Sequence, residues 1–411
     1  MLPKSSRNWY IMLAPLLSLV FLMPIFHLKS FSAQISTSFT VNTSGDTPDI
    51  NLGDGICADG SGNCSIRAAV QEFVYIPGEN YVILPSGSYV LYFLPITETL
   101  SINGAGSSST IIESTAGQYF VITNVTPSVE MTVTISGVTL QDGVISGGGG
   151  AIDNSENLAL KDCVIQNNHA TRGGGIFVHA SGSLIVDNCV FSGNVAVEGG
   201  AIYSAGALTV MDSSFYNNGG EGGAIRNLGS MSISNSTFSG NLTAYSGGGI
   251  YSVSTLLASI SHSTVVNNIA DFNGIGWGDG GGIYSDGSLL IQDTIIANNI
   301  DGTGEAPDCG GALVSNGYNL IEDLSGCGVT LLPSDLFGID PLLGLLANNG
   351  GATLTHALLP GSPAIDSGNC TDPDGNPVLF DQRGMPRPQG VTCDMGAYEY
   401  GFRLFLPVIM R

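Results

Sequence analysis

Basic residues are scarce in this chain, which contains 11 Lys and Arg against 34 Asp and Glu in 411 residues. The formal net charge of −23 would repel the phosphates of nucleic acid and anionic lipid headgroups, so neither is an expected partner. No CxxC spacing occurs, and a zinc site is therefore not predicted. Charged residues of both signs reach only 11%, yet 43% of the chain is hydrophobic, which excludes a disordered protein.

A secretory signal peptide is predicted at residues 1–33. Lys4 and Arg7 precede an apolar run from Trp9 to Phe26, and small residues follow that run, as in a cleavable signal. A retained membrane anchor is the alternative, although the prolines within the run weaken a stable span. The sequence thus predicts a secreted or cell-surface protein with no membrane span after removal of the signal.

Glycine is abundant, at 58 residues, and much of it belongs to a repeat between residues 149 and 299. A glycine pair and an aliphatic residue open each repeat, and an asparagine closes it three places after an aromatic or aliphatic residue. The closing asparagines recur with a period of 23 to 31 residues. This period, with strand and turn chemistry and no helical stretch, predicts a β-solenoid. The openings are GGAI (149–152), GGGI (173–176), GGAI (199–202), GGAI (222–225), GGGI (247–250) and GGGI (280–283).

Three aliphatic or aromatic positions recur in every repeat and alternate with polar ones, as inward residues of strands do. Three inward ladders imply three strand faces per coil, so the predicted fold is an all-β parallel β-helix. Stacking buries each ladder, which no single coil could do alone. The ladders are Ile152, Ile176, Ile202, Ile225, Ile250 and Ile283; Leu160, Val186, Val210, Ile233, Ile260 and Ile291; and Ile165, Phe191, Phe215, Phe238, Val265 and Ile296.

The closing asparagines form a fourth ladder, for which a structural role is predicted rather than a ligand-binding one. Stacked amides can bond along the solenoid axis and satisfy the backbone of turns. Asn218 is assigned to such a turn, in a left-handed conformation that asparagine tolerates. The members are Asn168, Asn194, Asn218, Asn241, Asn268 and Asn299.

Eight cysteines in an exported chain predict disulfides. Cys163 and Cys189 occupy the same position in consecutive repeats, where a bridge and two stacked buried thiols are equally compatible with the spacing between coils. The other six cysteines form local pairs. These pairs are Cys57 with Cys64, Cys309 with Cys327, and Cys370 with Cys393.

The two ends of a solenoid expose sheet edges that need a cover. At the N-terminal end, the segment 64–73 predicts a helix with Ser65 as its N-cap and one apolar face. After about residue 330 the repeat gives way to Pro-rich sequence. The predicted organisation is a signal at 1–33, an acidic loop and capping helix at 34–80, the β-helix at 81–330, a C-terminal module at 331–400 and a tail at 401–411.

Both ends resemble known modules. DGICADGSGNCSIRAAV (54–70) resembles the module named for its Cys-Ser-Leu-Arg-Glu-Ala (CSLREA) signature, with Ile66 and Ala68 in place of Leu and Glu. The C-terminal part closely resembles the choice-of-anchor Q domain. The segments that carry this likeness are NNGGATLTHALLPGSPAIDSGN (348–369), DQRGMPRP (381–388) and CDMGAYEY (393–400).

The central repeats resemble the GGAI and FxxN repeats of chlamydial polymorphic outer-membrane proteins. The ending FRLFLPVIMR (402–411) looks like the tail of exported proteins of Chloroflexi. Together these resemblances imply a secreted or surface right-handed β-helix of the pectate-lyase-like superfold, from families without an established activity.

One polar position before the third strand offers the best pair of carboxyl groups for catalysis. Asp162 and Asp212 lie two coils apart there, about 9.6 Å at the usual strand spacing, which approaches the separation that an inverting glycosidase needs. The alternative is a solvent-facing turn ladder, since turns favour Asp and Asn. His262 is a candidate base or one more turn residue. The row reads Asp162, Asn188, Asp212, Asn235, His262 and Asp293.

Two acidic loops are candidate calcium sites, because hard cations bind several oxygens at alternating positions. Neither loop completes a twelve-residue calcium motif, and solvated acidic turns are the alternative. No other cofactor is expected. The first loop carries Asp46, Asp49, Asp54 and Asp59, and the second carries Asp372, Asp374 and Asn376.

Tyr203, Tyr251 and Tyr284 follow the first inward isoleucine at equivalent coil positions. Such an outward aromatic row could stack sugar rings or contact a partner, and it is the predicted binding face. In the C-terminal module, arginines paired with carboxylates are expected to pin loops. The charges concerned are Asp366, Asp381, Arg383, Arg387 and Glu399.

Taken together, the features of the sequence favour adhesion, binding or structural surface display outside the cell. The expected partner is a glycan or a cell-surface protein, and no defined catalysis is expected. The alternative is a polysaccharide-acting hydrolase on the same scaffold. A lyase is disfavoured, because Lys161, Arg172 and Arg226 occupy different coil positions and build no basic cleft for a uronate.

Overall fold

The computed structural model describes residues 36–114, 117, 119–123, 130–276 and 278–401. The predicted signal peptide at 1–33 and the tail from 402 onward lie outside these residues. The described chain winds into a parallel β-helix, whose successive coils add one rung to each of three faces. A parallel arrangement is expected here, since each strand returns to the same face only after a full coil.

The first and second faces belong to one sheet. The first face comprises Leu94–Ile96, Phe120–Ile122, Ile152–Asn154, Ile176–Val178, Ile202–Ser204, Ile225–Asn227 and Ile250–Ser252. The second face comprises Ser36–Thr40, Glu79–Leu84, Leu100–Gly104, Thr132–Ser136, Asn157–Lys161, Ser183–Asp187, Ala207–Met211, Met231–Ser234, Ala258–Ser261 and Cys327–Thr330. Two longer strands, Ile283–Gln292 and Cys309–Ser315, run through both faces.

The third face is a separate parallel sheet. Its strands are Gly87–Val90, Thr110–Glu113, Thr139–Gln141, Val164–Gln166, Val190–Ser192, Ser214–Tyr216, Thr237–Ser239, Thr264–Val266, Ile295–Ala297, Leu320–Ile321 and Leu336–Phe337. Short strands flank it at His169–Arg172, Val195–Glu198, Gly219–Glu221, Ile269–Ala270 and Ile300–Asp301.

The three predicted inward ladders are confirmed in register and burial. Each ladder pairs rung by rung between neighbouring strands, and its side chains are fully buried. On the third face the rings of Phe191, Phe215 and Phe238 stack in parallel, with centroids 4.7 and 4.8 Å apart. This distance equals the rung spacing, so identical aromatic residues in consecutive coils stack without adjustment.

The asparagine ladder is also confirmed as structural. Each buried Nδ2 donates to the Oδ1 of the next asparagine at 2.9–3.0 Å, from Asn168 through to Asn299. The assignment of Asn218 to the left-handed conformation was wrong, because the preceding Asn217 has the positive φ of 55°. Asn218 instead points inward and is completely buried.

The helix spans Ile66–Phe73, and Ser65 caps it as predicted, with its Oγ accepting from the Ala68 backbone NH. The ring of Phe73 stacks on Phe39 at 4.8 Å. Since the strand that contains Phe39 pairs in parallel with Glu79–Leu84, the second face begins before the helix in the chain. At eight residues, this helix is too short to cross a membrane, and it is the longest that the described residues form.

The C-terminal module folds back along the side of the solenoid. Its hairpin, Leu343–Ala347 with Thr355–Leu358, places His356 against Ser239 of the third face, 2.9 Å from its Oγ. Further along, the Asn235 amide donates to the Phe380 carbonyl, and the Ala397 NH donates to Thr264. The module therefore covers part of the third face and of the turn before it.

Candidate functional site

The polar row before the third face has one backbone conformation throughout. All six residues have φ between 45° and 54°, the left-handed region in which Asn and Asp are favoured among non-glycine residues. Its exposure changes along the axis, however. Asp162 is exposed, whereas His262 and Asp293 are completely buried beneath the module. The sequence suggested a row that faces solvent throughout. That expectation is wrong at His262 and Asp293.

A cleft of about 430 Å³ opens where the module begins to cover this row. Asp162, Asn188 and Asp212 line one wall, from consecutive rungs. The ends of the second face contribute Lys161 and Asp187. The opposite wall, from the module, consists of Ala352, Phe380, Asp381, Gln382, Arg383 and Gly384.

The module wall of the cleft is held rigidly. Gln382 donates to Thr353 and accepts from Thr237 of the third face at 2.6 Å, and Thr353 in turn donates to the Asp212 carbonyl. Arg383 forms an ion pair with Asp381 at 2.6 Å and lies over the ring of Tyr398. Ring stacking and paired hydrogen bonds fix the guanidinium plane, so the expected pinning role of this arginine is observed.

Asp212 is the most perturbed carboxyl group in the cleft. Burial raises its pKa to about 6, and the neighbouring Asp187 carboxylate adds to the rise, while a hydrogen bond from Asn235 opposes it. Asp162, two rungs away, is exposed and accepts a hydrogen bond from Asn188. The cleft thus holds one carboxyl group with a raised pKa and one that is exposed to solvent. Acid–base chemistry uses carboxyl pairs whose environments differ in this way.

His262, the third candidate catalytic residue, does not reach the cleft. Its Nε2 donates to the Asn369 carbonyl at 3.0 Å, and burial lowers its pKa to about 4. Asp293 lies 3.6 Å away and also faces Asn369, whose NH it accepts. Burial raises the pKa of Asp293 to about 7. Both groups hold the module against the solenoid.

The N-terminal acidic loop directs its carboxylates toward backbone NH groups and one arginine. Asp46 pairs with Arg67 at 2.8 Å. Asp49 accepts from Asn51 and Ala58, and Asp54 accepts from the Ile56 NH. Asp59 accepts from Ser61 and Asn63.

The second acidic loop is built on one carboxylate. Asp372 accepts from the NH groups of Asp374 and Asn376 and from the Asn376 side chain. Within the described ranges, no three His, Cys, Asp or Glu side chains come together to hold a metal ion. Because calcium also takes carbonyl and amide oxygens, calcium binding by either loop stays a prediction.

The aromatic row shares one register on the first face, where Tyr203 is buried and Tyr251 and Tyr284 are half-buried. Tyr203, expected to be exposed, is only 7% exposed, because Phe177 and Arg172 pack on its ring. Tyr251 contacts Arg226 and Tyr284. The basic residues are neutralised as well, since Arg172 pairs with Glu198, Arg226 with Glu221 and Lys161 with Asp187.

The three predicted disulfides are confirmed, joining Cys57 to Cys64, Cys309 to Cys327 and Cys370 to Cys393. Cys163 and Cys189 are buried free thiols, which decides between the two alternatives left open. The Cys189 sulfur lies 3.4 Å from the Cys163 NH and acts as its acceptor. Disulfides of this kind persist in oxidising compartments.

The sequence missed the module side of the cleft. Asp187 could have been found, since it ends the second-face strand beside the polar row. Phe380 could not, because its contact with the solenoid, the bond from Asn235 to its carbonyl, spans 145 residues of sequence and no periodic pattern marks it. Asp381 and Arg383 were named as loop-pinning charges, but the sequence did not place them beside the polar row.

One family model supports the fold. A family model described as a right handed beta helix region matches residues 148–325. Among solved structures, the chain is similar to the A-module of mannuronan C-5 epimerase AlgE4 from Azotobacter vinelandii, with 13% identity, a TM-score of 0.40, and coverage of 72% of this chain and 91% of that one. No curated protein matches the chain. The matched repeats and the parallel stacked sheets make this protein a right-handed parallel β-helix.

Proposed function

We propose that this protein acts outside the cell as a glycan-binding adhesin, and that it holds neutral sugar chains in the cleft between module and solenoid. The observation that carries the proposal is the composition of the cleft walls. Carboxylates, amides and a fixed guanidinium fork there converge on one concavity, and Phe380 is 52% exposed at its edge. Polar groups of this kind bond sugar hydroxyls, and an aromatic face packs against a sugar ring.

The charge of the cleft supports neutral chains over anionic ones. Four aspartates line it against Lys161 and Arg383, and each of these cations is paired with one of the aspartates. A uronate polymer would therefore meet net repulsion. The three disulfides, the predicted signal and the resemblance to surface proteins favour the extracellular setting.

Calorimetric titration with a panel of neutral oligosaccharides tests the binding. Phe380→Ala should weaken affinity about 5- to 10-fold, since an aromatic contact is worth about 0.5–1.5 kcal/mol beyond its area. Leu379→Ala is the matched control, because Leu379 is similarly exposed and does not line the cleft. Equal effects of the two substitutions, or an absence of binding across the panel, would contradict the proposal.

Hydrolysis of the bound chain is a second candidate function, and the raised pKa of Asp212 favours it. Asp212 would protonate the glycosidic oxygen as the bond to the anomeric carbon breaks. Water would attack that carbon from the opposite face and lose its proton to Asp162, inverting the configuration. The two rungs are about 9.6 Å apart, just beyond the carboxyl separation of about 6.5–9.5 Å that an inverting pair uses.

Release of reducing ends from the glycans that bind measures this activity. Asp212→Asn should reduce the rate by at least about 100-fold, the usual contribution of a general acid, while calorimetric affinity stays within about 3-fold. Full activity in Asp212→Asn would eliminate the acid role. An absence of turnover in the unmodified protein, with binding intact, would leave adhesion alone.

A further inference from the structure

A second concavity, of about 480 Å³, lies on the outer side of the second face. Its floor includes the outward residues Thr209, Ser232 and Ser259, which pair in consecutive rungs. Leu257, 79% exposed, forms part of the rim. The module supplies the far wall through Asp372, Asp374 and Val378. We call this concavity the groove.

The module wall of the groove is fixed before any ligand arrives. The disulfide between Cys370 and Cys393 ties its base. Gln292 of the second face donates to the Thr371 carbonyl at 2.6 Å, and Asp372 holds the turn by accepting from the Asn376 backbone. A ligand would therefore not have to order this loop, which removes a large part of the usual entropic cost of binding.

The groove adjoins the cleft. Asn235 lines the groove and Asp212 lines the cleft, and these two residues occupy adjacent rungs of the polar row, about 4.8 Å apart. On the module side, Val378 faces the groove and Phe380 the cleft. The bond from Asn235 to the Phe380 carbonyl joins a residue of the groove to a residue of the cleft.

We infer that the cleft and the groove are two sections of one track for a linear neutral glycan, which crosses from one to the other over the exposed ring of Phe380. This inference rests on the proposed function. The groove suits the same chemistry, because serine and threonine hydroxyls cover its floor and its described lining contains two carboxylates and no cation. A chain long enough to fill both sections gains affinity, since its second contact is intramolecular.

Calorimetry with short and long members of one neutral oligosaccharide series tests the track. In the unmodified protein, affinity should rise at least about 10-fold from short to long chains. Ser232→Tyr fills the floor of the groove and should abolish this gain without changing the affinity for the short chain. Ala159→Tyr is the matched control, because Ala159 occupies the same outward row three rungs away and lines neither concavity.

The outcomes separate the two proposals. Short chains that bind without any gain from length, or a gain that survives Ser232→Tyr, overturn the track and leave binding in the cleft intact. Short chains that fail to bind overturn the proposed function and the track with it. Loss of the length gain in Ala159→Tyr as well as in Ser232→Tyr also overturns the assignment to the groove.

Discussion

At the scale of single residues, the asparagine ladder has a direction. Each Oδ1 accepts from the preceding rung, beginning where the Gly143 NH donates to Asn168. Each Nδ2 donates to the next asparagine toward the C-terminal end and also to a backbone carbonyl of the preceding rung, as Asn168 does to Leu140. The last amide, Asn299, donates to Asp308 at 2.9 Å. A carboxylate suits that end, because it accepts without requiring an acceptor of its own. The opposite Asp308 oxygen accepts from the Asp323 NH, so both oxygens have partners.

Removing one side chain from the middle of this ladder should be costly. Asn218→Ala would remove the acceptor of the Asn194 backbone NH, the acceptor of one Asn194 side-chain NH, and the Asn218 donor to the Phe191 carbonyl, at about 1–3 kcal/mol for each unsatisfied group. We expect a loss of about 3 kcal/mol or more in the free energy of unfolding, measured by urea titration with circular dichroism. Asn217→Gly is the control, since glycine tolerates the φ of 55°; its change should stay within about 0.5 kcal/mol.

At the scale of elements, the strands that recur in every coil could be predicted from the sequence. Elements that occur once, such as the helix, could be predicted only in part. The ladder positions recur in every coil, so one misread coil is corrected by its neighbours. The helix was predicted because its cap and apolar face are local signals. The contact of Glu72 with the acidic loop was not predicted. This fully buried carboxylate accepts from the Gly53 and Gly55 NH groups and so fastens the loop to the helix.

The helix cap gives a prediction at this scale. Ser65 accepts from the Ala68 NH and donates to the Thr47 carbonyl, so Ser65→Ala removes a capping bond and leaves a carbonyl unpaired. We expect a destabilisation of about 1–2 kcal/mol, seen as a lower urea midpoint. Ser61→Ala, in the exposed part of the same loop, should leave the midpoint unchanged. A comparable shift in both variants would argue against the cap.

At the scale of the whole molecule, the return of the module onto the solenoid creates both concavities, and this step escapes sequence reasoning. Its contacts are single and non-repeating: Thr237 with Gln382, Ser239 with His356, Thr264 with Ala397. Each joins residues more than a hundred positions apart. The repeat predicts which side chains are buried inside the solenoid. It does not predict which residues of the polar row the module covers, because covered and exposed members of the row occupy the same position in the repeat.

The covered interface should make stability depend on pH. Burial raises the pKa of Asp293 to about 7 and that of Asp394 to about 6, from an ordinary 3.8. The folded protein therefore binds these protons more tightly than the unfolded chain, and stability increases as pH falls through 7 and 6. Burial lowers the pKa of His262 and His356, which acts in the opposite sense below about pH 6.5.

The raised carboxyls outnumber the two histidines, since burial also raises the pKa of Asp212 and Asp308 to about 6. We therefore expect the urea midpoint to be higher at about pH 5.5 than at about pH 8. Asp293→Asn should reduce this difference and stabilise the protein at about pH 8 by on the order of 2–4 kcal/mol, because about 1.4 kcal/mol accompanies each pKa unit.

Asparagine fits the backbone conformation at Asp293, because Asn188 and Asn235 occupy equivalent left-handed positions in the same row, and its side-chain oxygen can still accept from the Asn369 NH. Asp162→Asn removes a carboxylate from the exposed end of that row and serves as the control for charge alone. Its effect on the midpoint at about pH 8 should be within about 0.5 kcal/mol. A pH profile unchanged by Asp293→Asn, or changed equally by Asp162→Asn, would show that the buried Asp293 carboxyl does not cause the pH dependence of stability.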